Sequence, residues 1–137
     1  MNEKIKILIL DDEEIVGKRL SQSLRKQGCE VEVFISPIEA VMRISEVDFD
    51  IVVTDLRMKE MNGFDVLKHA RKKNDRTKII VITGYAMMDV ARNAMELGAF
   101  DFINKPFKPK EFVEVIQKAA NSLGFEIDLM TTKLVEV

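Results

Sequence analysis

The chain has no tryptophan, one cysteine, one histidine, one tyrosine and three prolines in 137 residues. A lone Cys29 excludes an internal disulfide, and with no second Cys or nearby His it cannot build a thiolate zinc site. No segment approaches the ~20 consecutive apolar residues of a membrane span. The opening Met1-Asn2-Glu3-Lys4 lacks the apolar stretch of a signal peptide, so a cytoplasmic protein is expected. Charge of one sign is also missing: 21 Lys+Arg stand against 23 Asp+Glu, a net charge of −2. That balance argues against broad electrostatic capture of nucleic acid. What is present is a globular fraction of hydrophobic residues, 47%, in a length suited to one domain.

Those residues fall in five short β-rich runs: Ile5 to Leu10, Val31 to Ile35, Ile51 to Thr54, Ile79 to Thr83 and Phe100 to Ile103. The first, third and fourth are almost unbroken, as strands buried on both faces of a parallel sheet are. The second and fifth are more mixed and read as edges. Between the runs lie helical spacings: Ile15, Leu20, Leu24; Ile38, Val41, Met42, Ile44; Phe64, Val66, Leu67, Ala70; Val90, Ala91, Ala94, Met95; and Phe112, Val113, Ile116, Ala119, Ala120. Gly28 and Gly98 are placed to end the first and fourth helices, and Ser36-Pro37 to start the second. A β-α unit repeated five times predicts a doubly wound α/β fold with helices on both faces of a parallel sheet.

In such a sheet, ligands bind outside the carboxyl ends of the strands. There the sequence places Asp11-Asp12-Glu13-Glu14, Thr54-Asp55, Thr83-Gly84 and Asn104-Lys105-Pro106. Each group alone has a plain structural explanation, such as helix capping for the acidic run. Together they are harder to dismiss, because two carboxylates ~4 Å apart repel by roughly 4 kcal/mol at an effective dielectric near 20 and call for a cation. Magnesium suits an oxygen-only set that keeps waters and takes a phosphate. Lys105 would neutralise a further anionic oxygen, and Thr83 with the Gly84 N–H would bond another. Asp55 is the central carboxylate.

The segments ILILDDEE (Ile7 to Glu14), IVVTDLRM (Ile51 to Met58), IIVITGYA (Ile79 to Ala86) and GAFDFINKPF (Gly98 to Phe107) resemble the receiver domains of bacterial two-component response regulators. The wording is most similar to the nitrogen-regulatory class, whose receivers often precede an ATPase that activates a specialised sigma factor (sigma-54). The resemblance implies a flavodoxin-like (βα)5 fold with strand order 2-1-3-4-5. It implies Asp55 as phosphoacceptor toward a sensor histidine kinase, and Asp11, Asp12, Asp55 and the Arg57 carbonyl as Mg2+ ligands. Leu56, Gly84, Thr83 and Lys105 would hold the phosphoryl group. Phe102 would be the aromatic that turns inward as Thr83 moves, changing an α4-β5-α5 surface for a downstream output or a homodimer. It also implies a cis Lys105-Pro106 peptide. Departures lie at Lys59 and Asn62, where the family frequently has Pro and Asp. Arg57 and Tyr85 occupy the variable positions thought to flank the phosphoryl group, with bulk that would slow its hydrolysis.

Residues 1–123 are assigned to the receiver and 124–137 to an extension. A P-loop GxxxxGK[ST] is absent, and too few residues follow Ser122 for a DNA-binding domain. Within the extension, Ile116, Ala120, Leu123, Ile127, Met130, Leu134 and Val137 follow a coiled-coil spacing, which favours a helical, dimerising continuation of the fifth helix. Gly124 and Thr131-Thr132 oppose it. Cys29 and Met95 are expected in the core, and His69 on a helix surface. Two rival readings remain. An Asp-nucleophile phosphohydrolase of the haloacid dehalogenase type would need a second Asp where Arg57 stands. A degenerate receiver acting only by binding would not need Asp11, Asp12, Asp55, Thr83 and Lys105 together.

Overall fold

A computed structural model of the chain describes residues 4–56, 62–84 and 88–130, with the side chain of Met88 excepted. Among these, strands and helices alternate as β1 (Lys6–Leu10), α1 (Glu14–Lys26), β2 (Glu30–Phe34), α2 (Pro37–Glu46), β3 (Ile51–Asp55), α3 (Gly63–Lys73), β4 (Lys78–Thr83), α4 (Met88–Glu96), β5 (Asp101–Asn104) and α5 (Pro109–Ser122). The strands form one parallel sheet in the order β2-β1-β3-β4-β5, so the expected edges and centre are found.

The unbroken apolar runs are explained by burial on both faces. Ile7, Ile9, Ile51, Val53, Ile80 and Ile82 point to one side and pack with Leu20 and Leu24 of α1 and Phe112, Ile116, Ala119 and Ala120 of α5. Leu8, Leu10, Val52, Ile79 and Val81 point to the other and meet Ala40 and Ile44 of α2, Val66, Leu67 and Ala70 of α3 and Ala94 of α4. Alternate residues of one strand thus feed two cores. The punctuation also holds. Gly28 and Gly98 carry φ of 92° and 101°, and Ser36 accepts a hydrogen bond from the Glu39 N–H ahead of Pro37. Cys29 is buried, and His69 is exposed on α3.

Three expectations about helix faces need correction. Ile15, Ile38 and Met42 satisfy a helical period yet are 53%, 51% and 61% exposed, because the sheet is covered by Leu20, Leu24, Ala40 and Ile44 instead. Met95 is likewise exposed, the small Ala94 taking the inward position of α4. The fifth helix does not run on as a coiled-coil seam. Ile116 and Ala120 are fully buried against the sheet and cannot face a second chain. The helix stops at Ser122, Gly124 adopts φ of 93°, and the Phe125 N–H bonds back to the Ala120 carbonyl. Residues 125–130 then return along α5 as a non-helical strap. Gln117 donates from Nε2 to the Ile127 carbonyl (2.8 Å) and accepts at Oε1 from the Leu129 N–H (2.6 Å). Leu129 is buried in the α1/α5 core. The remainder of the proposed seam, Leu134 and Val137, lies outside the described residues.

Candidate active site

The carboxyl ends of β1, β3, β4 and β5 bring the predicted residues together. Asp11 follows β1, and its N–H bonds the Phe34 carbonyl (3.2 Å), which ties it to β2. Asp55 ends β3, the middle strand of the sheet. Lys105 follows β5, and its N–H bonds the Thr83 carbonyl at the end of β4 (2.8 Å). The Lys105-Pro106 peptide is cis, as the resemblance implied.

Asp11 and Asp55 are buried, 2% and 6% exposed, while Asp12 is exposed. One carboxylate oxygen from each of Asp11, Asp12 and Asp55 lies within 4.8 Å of the others. Across an octahedral ion with bonds near 2.1 Å, opposite ligands stand about 4.2 Å apart, so this trio suits a small hard cation after modest closure. The donor set is all oxygen and anionic, which favours magnesium-like chemistry over soft metals. The Arg57 carbonyl, expected as a further ligand, lies outside the described residues, as do Lys59 and Tyr85.

Lys105 is the positive counterweight. Its Nζ donates to Asp55 Oδ2 (2.7 Å), Asp11 Oδ2 (2.8 Å) and Glu13 Oε1 (3.2 Å). Burial works against the ammonium, but the bonds to Asp11 and Asp55 outweigh it and hold its pKa above the ordinary lysine value. At Asp11 the balance tips the other way. Burial raises its carboxyl above the ordinary value despite hydrogen bonds from Lys105 and the Glu13 N–H. Burial thus opposes the charged form of Asp11 even with the Lys105 ammonium beside it.

Gly63 fixes the floor of the pocket. A Cβ there would stand 2.2 Å from the Asp55 carbonyl oxygen and 2.7 Å from Leu56 Cα, so only glycine lets the start of α3 press against the end of β3. The Gly63 N–H bonds the Leu56 carbonyl (3.0 Å), and Asn62 caps α3 by accepting from the Asp65 N–H.

The chain matches the response regulator receiver domain family model over residues 7–117. This protein belongs to the receiver family. Receivers are phosphoacceptor switches, and the acidic cluster of this one, with Asp11 and Asp55 buried, fits that chemistry. It is 37% identical over 114 residues to the regulatory protein AtoC of Escherichia coli K12, covering 83% of this chain and 25% of AtoC. It is 36% identical to the chemotaxis protein CheY of Thermotoga maritima, covering 84% of this chain and 97% of CheY. Among solved structures, the beryllofluoride-activated NtrC4 receiver domain dimer matches with a TM-score of 0.81 and 29% identity, over 87% of this chain and 98% of that one. The receiver thus spans about a quarter of AtoC and nearly all of CheY. Among its described residues, no helix is long and apolar enough to cross a membrane.

The other predicted positions lie on or just after β3, β4 and β5. Thr83 is buried at the end of β4 and Gly84 is exposed beside the Lys105 stem. The Leu56 N–H is donated to the Ile82 carbonyl (3.1 Å) and its side chain is in the α3 core, so a phosphoryl contact from it requires sharing that bond. Phe102 is half-buried against the core that holds α4. Sequence reasoning missed the role of two residues. In the sequence Glu13 is one of a run of acids, whereas in the fold it stands beside Lys105. The close approach at Gly63 had no signal beyond the glycine itself.

Proposed function

We propose that Asp55 is the phosphoacceptor of this receiver, and that a sensor histidine kinase is the donor. The observation that supports it is the Asp55 carboxylate, buried at the end of the central strand, bonded to Lys105 and grouped with Asp11 and Asp12. An Asp55 oxygen attacks the phosphorus of a phosphohistidine. The O–P bond forms as the P–N bond breaks, and the electron pair stays on the imidazole. Such transfer is largely positioning and charge stabilisation. Asp11, Asp12 and Asp55 would hold Mg2+, which would supply positive charge to the phosphoryl oxygens. Lys105 pairs with one of those oxygens, and the Thr83 hydroxyl and Gly84 N–H bond another. The protein catalyses only its own phosphorylation and dephosphorylation.

Movement of Thr83 toward the phosphoryl group draws Phe102 inward and shifts the surface made by α4, β5 and α5. That surface addresses an output domain, another protein or a second copy, in the cytoplasm. The dimer formed by the activated NtrC4 receiver supports the last. Relatives about four times as long as the matched region, among them a DNA-binding transcriptional regulator of Azospirillum brasilense, support a transcriptional output.

Intact mass after incubation with acetyl phosphate and Mg2+ tests the assignment. Wild type gains one phosphoryl group, and Asp55→Asn and EDTA-treated protein gain none. An equal gain in Asp55→Asn overturns it.

A further inference from the structure

The Lys105 ammonium has three protons and three carboxylate partners, so its donors are all engaged. Two of those partners, Asp11 and Asp55, also belong to the trio suited to a cation, whereas Glu13 does not. A bound cation and the ammonium would therefore draw on the same two carboxylates and repel each other across them. Glu13 approaches the ammonium from the solvent side, its side chain 64% exposed against 2% for Asp11 and 8% for Asp55. Its backbone is nevertheless anchored to the pocket, because the Glu13 N–H donates to Asp11 Oδ1 (2.8 Å). Glu13 is also the N-cap residue of α1, yet its side chain caps no helix N–H. An acidic N-cap ordinarily serves the exposed N–H groups of its helix. Here the carboxylate turns to Lys105 instead.

We propose that Glu13 is a positioning residue that receives the Lys105 ammonium as Asp11 and Asp55 turn to Mg2+, and holds it at the rim until a phosphoryl oxygen takes it over. This rests on reading the pocket as a Mg2+ site. Without Glu13, Lys105 keeps only Asp11 and Asp55 as partners and competes more strongly with the cation.

The test is a double-mutant cycle on Mg2+ affinity, measured by titration calorimetry without any phosphodonor on wild type, Glu13→Gln, Lys105→Met and the double variant. Thermal unfolding checks that each is folded, and Lys105→Gln replaces Lys105→Met if the latter is not. Loss of one exposed negative charge weakens Mg2+ binding by the same factor in both backgrounds. A positioning role adds to this only when Lys105 is present, by about two- to fivefold for a pair of this exposure. The expected result is therefore a Glu13→Gln effect larger by that factor with Lys105 than without it. Equal factors in the two backgrounds overturn the role of Glu13 alone. Absence of Mg2+ binding by folded wild type overturns the metal reading and this proposal with it.

Discussion

Gly63→Ala is the substitution for which local and tertiary reasoning disagree in sign. Gly63 is the first residue of α3, and replacing a helical glycine by alanine ordinarily gains up to about 1 kcal/mol. The tertiary structure reverses this. The new Cβ would lie 2.2 Å from the Asp55 carbonyl oxygen, 2.7 Å from Leu56 Cα and 3.0 Å from the Asp55 carbonyl carbon. Carbon and oxygen in contact sit near 3.3 Å, so relief takes about 1 Å of backbone movement. All three neighbours are main chain, and no side chain can rotate away. Overpacking of this kind costs about 1–3 kcal/mol, which exceeds the propensity gain. With a slope of about 2 kcal/mol per molar urea, a net loss of ~1 kcal/mol moves the unfolding midpoint down by roughly 0.5 M. The movement falls on the residue after Asp55 and on Asp55 itself, so phosphoryl uptake should fall in the protein that remains folded. Gly28→Ala is the control: nothing lies within 4 Å of its Cβ, and only its φ of 92° opposes the change, at about 1 kcal/mol. A Gly63→Ala protein as stable as wild type, or more so, refutes the steric argument.

Asp11→Asn should stabilise the metal-free protein at pH 7 while abolishing Mg2+ binding. The folded-state pKa of Asp11 is raised, so the charged form disfavours folding once pH exceeds its unfolded value of 3.8. The advantage of Asn therefore shrinks as pH falls toward that value, and urea unfolding at pH 7 and pH 4 measures it. Cys29, buried with a pKa pushed from 9.0 to about 11 by loss of hydration, should alkylate at pH 8 at least about a hundredfold more slowly than a free thiol. Iodoacetamide kinetics followed by mass check this, and a rate near that of a small thiol contradicts the burial. Leu129→Ala should cost about 1–3 kcal/mol, below the maximum for a core leucine because the strap can undock locally. Hydrogen exchange at the Leu129 N–H should then rise while that of β3 is unchanged.

The sequence by itself determined the layer architecture and the place of the chemistry. Apolar runs without alternation require burial on two faces, and helical periods between them supply the covers. Once strands are parallel, every residue that follows a strand lies on one edge. Asp11, Asp55, Thr83 and Lys105 were legible for that reason, although 94 residues separate Asp11 from Lys105. Caps were legible too, since Gly28, Gly98 and Ser36 act through local backbone geometry.

Only the tertiary structure decided which periodic residues face inward. Ile15, Ile38 and Met42 have the right spacing, but periodicity cannot say which side of a broad apolar stripe meets the sheet. It also decided the course of the chain after Gly124. The coiled-coil spacing spans residues that serve two purposes, and Ile116 and Ala120 are already buried in the receiver's own core. Gly124 ends the helix, and Gln117 and Leu129 hold the strap by contacts that no linear pattern encodes. The same holds for Glu13 and Gly63. Their roles depend on distances between separate elements, set by how closely helices and strands pack, and those distances are a property of the folded chain alone.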